Sequence, residues 1–169
     1  MGEATDNTTD AARTAQARVI VRRHAYWALG LGLLPLPIVD VVALTGLQVK
    51  LLAALSAHYG VTFSAERARA AVVALTAGLG SVAVSGMIAS SLFKIVPVAG
   101  IVAGIVGVPL LGGALTRAVG DLFVMHFESG GTLLDFDAVA MRGHFREEFE
   151  RARAEVTRTR AGDEEPVAP

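Results

Sequence analysis

The chain contains no cysteine. That removes disulfides, thiolate zinc sites, iron–sulfur clusters and cysteine nucleophiles, and it leaves the redox compartment undetermined. Charge is scarce: 18% of the 169 residues are Asp, Glu, Lys or Arg, where a soluble domain carries about a quarter. The two signs nearly cancel, with 15 basic and 16 acidic residues, so no net positive charge is available to draw nucleic acid. Aromatics are few, at 6%. What fills the chain instead is aliphatic: 53% of it is hydrophobic, mostly Ala, Val, Leu and Ile, accompanied by 18 glycines.

Distribution matters more than totals. Between Arg69 and Arg117 the only charge is Lys94, which divides two apolar runs, Ala70 to Phe93 and Ile95 to Thr116, of 24 and 22 residues. About 20 apolar residues in a helix cross the roughly 30 Å hydrocarbon core of a bilayer, so each run is long enough to span it once. Seven basic residues precede the pair of runs and seven follow it. Basic flanks stay in the cytoplasm, which places both termini inside and Lys94 at the far interface or reaching toward it. Pro97 fits the first turn of the second helix and disfavours helix just before it. These features predict an apolar helical hairpin over residues 70–116 with Lys94 at its turn. A re-entrant hairpin, held within the bilayer by neighbouring protein, satisfies the same pattern, and a hairpin buried in a soluble core is the alternative outside the membrane.

Small residues predict how the hairpin closes. Ala77, Ser81, Ser85 and Ala89 recur every fourth position in the first run, and Gly100, Gly104 and Gly107 line the second. Such ridges let helix backbones approach closely in lipid, within a hairpin or between copies. Pro109 is expected to kink the second helix.

Around the hairpin the pattern is amphipathic. Residues 1–12 are polar, lack the basic start and apolar core of a signal peptide, and are expected to be disordered. A helix follows from about Asp10 to Leu34, and Tyr26 and Trp27 beside Arg22 and Arg23 suit the headgroup level of a membrane. A second helix is predicted from Pro37 or Ile38 to Tyr59, with Asp40 in its first turn, Gln48 two turns on, and Gly60 as its stop. A third opens at Ser64 with Glu66 in its first turn. After the hairpin the helix runs on to Glu128 and stops at Ser129-Gly130-Gly131. A final amphipathic helix is expected from Asp135 or Asp137 to Arg160, with Ala138, Met141, Phe145, Phe149, Ala152 and Val156 on its apolar face. The tail, 161–169, reads as disordered.

Chemistry is sparse. No phosphate-binding G-x-x-x-x-G-K-[ST] occurs. His24, His58, His126 and His144 are scattered, and none has the two-histidine helical spacing of a zinc site. Ser85, Ser90 and Ser91 lie in apolar surroundings with no histidine near in sequence to activate them. No catalytic, cofactor-binding or metal-ligating set emerges, and the expectation is a protein without enzymatic activity or cofactor.

The stretches GLLPLPIVDVVALTGLQVKLLAALSAHYGVTFSAERARA, SLFKIVPVAGIVAG and LTRAVGDLFVMHFESGG, taken in order, resemble the bacterial YcjF-like domain of unknown function. The matching pieces are Pro35, Pro37 and Asp40 in P-x-P-x-x-D, Gln48 in the next helix, the Tyr59-Gly60 stop, Lys94 and Pro97 at the hairpin turn, and Thr116 and Gly120 after it. The resemblance covers 25–131 and implies an α-helical inner-membrane or membrane-associated module. Such domains occur alone, or fused to or encoded near Era-like small GTPases; this chain carries no GTPase domain, so a GTPase partner would act in trans.

The expected organisation is all-α: a disordered segment 1–12, a helical domain 13–131 containing the apolar hairpin, an amphipathic helix 132–160 and a tail 161–169. The expected role is a membrane anchor or scaffold that self-associates as a homo-oligomer in the bilayer and presents its cytosolic helices to a partner. An oligomeric channel, and a soluble helical shell protein with buried hairpins, are the alternatives. Against a channel, Lys94 is the only ionisable group within the runs.

Overall fold

The computed structural model describes residues 2–31, 37–79 and 97–163. Among these the protein is all-helical, with five helices and no strand. We label them α1 (Gly2–Leu31), α2 (Pro37–Tyr59), α3 (Ala65–Ala77), α4 (Pro97–Glu128) and α5 (Arg142–Asp163).

The helix stops follow local chemistry. Gly60 takes a positive φ of 70°, its N–H bonds the Ala57 carbonyl at 3.4 Å, and the Val61 N–H bonds that of Ser56 at 2.8 Å. Gly130, with φ 84°, repeats the arrangement: its N–H bonds the Phe127 carbonyl and the Gly131 N–H that of His126. Both are Schellman stops, which need a left-handed residue and so take glycine. Ser64 caps α3, its hydroxyl accepting from the Arg67 N–H at 3.4 Å.

Three boundaries differ from the sequence reading. Helix α1 already begins at Gly2, so residues 2–12, expected to be disordered, form its first turns. Helix α5 begins at Arg142 rather than at Asp135 or Asp137, and it runs to Asp163, so the start of the tail expected to be disordered from 161 is helical. Those two aspartates spend their carboxylates elsewhere. Asp135 accepts from the N–H and hydroxyl of Thr132, both at 2.6 Å, and Asp137 accepts from the Val139 and Ala140 N–H groups. They cap short turns that place Phe136 flat against Phe123, with ring centroids 4.3 Å apart. Of the apolar face expected for the last helix, Phe145, Phe149 and Ala152 are buried on α5, while Ala138 and Met141 precede the helix and are partly buried against the core; the surroundings of Val156 lie outside the described residues.

Helix α4 is the centre of the bundle and packs on α1, α2 and α5. Val21 meets Gly120 and Ala28 meets Gly112, so α1 runs antiparallel to it. Leu44 meets Gly112 and Tyr59 meets Phe127, so α2 runs parallel. Glu155 reaches Arg117, and α5 returns antiparallel. The bundle therefore has two distinct ends. One gathers Arg13, Tyr59 and Glu128; the other gathers the C-terminus of α1, the start of α2 and the apolar first half of α4.

Helix α3 lies across the first of these ends. It starts just past Tyr59, and at its far end a Cβ on Gly78 would stand 3.2 Å from the Arg142 side chain at the start of α5. Ala71, Val72, Leu75 and Leu79 are buried there. Ala71, Val72, Leu75 and Leu79 of the first apolar run thus pack in the bundle, as do Gly112 to Ala114 and Thr116 of the second. Lys94, Ser81, Ser85 and Ala89 lie outside the described residues, as does Pro35. Gly100, Gly104, Gly107 and Pro109 fall within α4, with their surroundings outside the described residues; Pro97 opens that helix. Ala77 is exposed at the last residue of α3.

Candidate functional site

The glycines at which helices come closest are Gly113 and Gly120. A Cβ on Gly120 would stand 2.6 and 2.7 Å from the two γ-carbons of Val21, and one on Gly113 would stand 2.8 Å from Leu29 Cδ2 and 3.5 Å from the Ala25 carbonyl oxygen. Real side chains do not approach that closely, so α1 and α4 pack at these positions only because no side chain is there. Thr116 lies between them on the same face and is fully buried. Thr116 and Gly120 thus belong to the α1–α4 contact. Gly112 and Gly113 were not singled out from sequence, although their spacing to Gly120 along one helix face was visible in it.

At the opposite end from the apolar half of α4, Tyr59 ties the C-termini of α2 and α4 to the middle of α1. Its hydroxyl donates to Glu128 Oε1 at 2.9 Å, and the Thr14 hydroxyl donates to the same oxygen. The Arg13 guanidinium sits 4.9 Å from the Tyr59 ring centroid, and His58 Nε2 lies 2.9 Å from the Arg13 carbonyl oxygen. Burial, followed by the Glu128 carboxylate, pushes the phenol pKa well up, so Tyr59 is a fixed donor at neutral pH. Replacing it as Tyr59→Phe keeps the ring and removes only that donor. A loss of about 1–2 kcal/mol is expected in urea unfolding, with helicity unchanged.

A charged groove runs between α1, α4 and α5. Arg117 donates to Glu155 at 2.8 Å and to Asp121 at 3.5 Å, while Arg151 pairs with Glu148 at 2.6 Å. Arg18 and Arg22 of α1 form the other wall. Burial raises the Asp121 carboxyl, and Arg117 opposes the shift. Ion pairs in this setting contribute little stability each. They mark the C-terminal half of α4 as a segment in contact with water.

The other end is apolar and open. Tyr26 and Trp27 are 65% and 66% exposed, and Val42 is 70% exposed. Because Ala25 and Leu29 flank Gly113, Trp27 stands at the level where α4 carries Gly113. By length and composition α4 is the one helix among the described residues apolar enough to cross a membrane. The stretch that meets the criterion, Leu110–Glu128, is 56% buried by the rest of the protein, so that stretch is the core of the bundle.

Each histidine is engaged locally. His24 Nδ1 lies 2.9 Å from the Ile20 carbonyl, and His126 Nε2 lies 2.9 Å from that of Thr132. His144 is exposed, 4.0 Å from Glu147. Among the described residues no three metal-ligating side chains gather. Gln48 and Thr116 are buried, while Asp40 lies in the first turn of α2, with its surroundings outside the described residues.

The family model described as "Domain of unknown function (DUF697)" matches residues 1–153. The chain belongs to that family. Magnetosome membrane protein 22 of Magnetospirillum gryphiswaldense is 30% identical over 152 residues, which is 90% of this chain and 78% of that protein. No solved structure matches.

Proposed function

We propose that this member of the DUF697 family is a non-enzymatic helical membrane anchor or scaffold of the bacterial inner membrane, with both termini in the cytoplasm. The observation that carries the reading is the exposed Tyr26–Trp27 pair at the level of Gly113 of α4. Amphipathic rings collect at the headgroup level, and Arg22 and Arg23 lie one turn toward the charged end, where a cytosolic leaflet would meet them. From Gly113 to Pro97 the helix rises about 24 Å at 1.5 Å per residue. That is most of the hydrocarbon thickness, with Lys94 three residues further along the chain. The relative's printed name, a magnetosome membrane protein, supports association with a membrane.

In this reading the apolar half of α4 and residues 80–96 enter the lipid, copies associate through small-residue ridges, and the cytosolic end receives a partner. Phe63, Val73, Leu134 and Val139 are exposed apolar residues near that end, which suits protein contact. The likeness to YcjF-like domains favours a small GTPase supplied in trans. A single cysteine at position 94 provides the test, since the chain has no cysteine of its own. A thiol reagent that cannot cross lipid is expected to label Lys94→Cys in intact cells from outside only. Labelling only from the cytoplasmic side, in inverted membranes, would contradict the placement.

A further inference from the structure

Three buried polar side chains stand at one level in the bundle core. Leu44 meets Gly112 and Tyr59 meets Phe127, and both pairs are offset by the same number of residues. That offset carries Gln48 of α2 to Thr116 of α4. On the antiparallel side Val21 meets Gly120 and Ala28 meets Gly112. The register midway between those contacts sets His24 of α1 opposite Thr116. His24, Gln48 and Thr116 are 9%, 1% and 0% exposed. Gln48 Nε2 and Thr116 Oγ1 are fully buried and find no hydrogen-bond partner. Native proteins rarely leave such groups unpaired, because burying one without a partner forfeits its bonds to water.

We propose that His24, Gln48 and Thr116 form a binding site for one internal water molecule between α1, α2 and α4. The donor and acceptor inventory fits. His24 Nδ1 lies against the Ile20 carbonyl oxygen, which assigns the proton to Nδ1 and leaves Nε2 as an acceptor. Gln48 Nε2 brings two N–H donors, and the Thr116 hydroxyl both donates and accepts. A water accepts from the Gln48 amide, exchanges a hydrogen bond with Thr116 and donates to His24 Nε2. That gives it three protein partners, the usual number for an internal water. The bonded layer would fix the register of the three helices at one point, as single polar residues do in coiled coils. This inference is independent of the membrane reading and of its test.

The test is magnetisation transfer between water and the Gln48 side-chain amide in isotopically labelled full-length protein in detergent micelles. A cross-peak to long-lived water is expected. Thr116→Ala opens space while removing the hydroxyl, and the peak should persist. Thr116→Leu reaches beyond the threonine's own volume into the water's place, and the peak should vanish while the rest of the spectrum stays folded. A folded, unaltered chain with no cross-peak overturns the proposal. Loss of the peak in Thr116→Ala also overturns it, because the hydroxyl alone would then have relayed the exchange through a direct Gln48–Thr116 bond. If Thr116→Leu does not fold, the unaltered chain and Thr116→Ala decide between these outcomes.

Discussion

Replacing residues 80–109 with a flexible Gly/Ser linker is expected to move the protein from the membrane pellet to the supernatant with the bundle intact. Those residues carry no charge except Lys94. The described core runs through Ala17, Val21, Leu51, Leu55, Val72, Leu122, Phe123 and Phe145, all outside the replaced segment. The linker has to bridge from Leu79, near the charged end, to Leu110, toward the apolar end. About 20 Gly/Ser residues reach some 25 Å in the root mean square, enough for that path. Circular dichroism of the supernatant should then show a helical protein with a single cooperative unfolding transition. Persistence in the pellet after this replacement would mean that the bundle itself holds the membrane, and the role assigned to the apolar segment would fail.

The second large effect belongs to Gly120→Val. The new side chain would have to occupy space already held by Val21, whose γ-carbons lie 2.6 and 2.7 Å from the Cβ position. Val21 is itself buried, so relief requires α1 and α4 to move apart along their whole contact. Overpacking of this kind costs roughly 3 kcal/mol, at the high end of its range because two helix backbones must shift. Gly46 is the control. A Cβ there meets nothing within 4 Å, so Gly46→Ala should stabilise the protein by about 0.5–1 kcal/mol through helix propensity alone. Equal, small effects at the two sites in urea titrations would contradict the close-contact account of Gly120.

How much of this was legible beforehand depends on the kind of signal. Helix stops at Gly60 and Gly130 were readable because a left-handed stop needs glycine and the glycines sit just past apolar periods. The apolar face of the last helix was readable for the same reason of period. The start of that helix was not, because Asp135 and Asp137 have the composition of N-caps and cap turns instead. Nor was the course of α3. An unbroken apolar run from Ala70 gives no sign that its start turns across the end of a bundle and packs there, since burial against protein and burial in lipid favour the same residues. The level shared by His24, Gln48 and Thr116 was also out of reach, because it depends on the register of three helices that only their packing sets.

The chain has one tryptophan, Trp27, and its fluorescence tests the central claim most directly. In the proposed placement this ring sits at the lipid headgroup level, beside Gly113 of α4. In vesicles the emission should shift to shorter wavelength, and lipids carrying a quencher near the headgroup should dim it more than lipids carrying one at the chain end. Emission at the wavelength of a water-exposed indole, quenched by aqueous iodide and indifferent to lipid quenchers at any depth, would contradict the membrane placement.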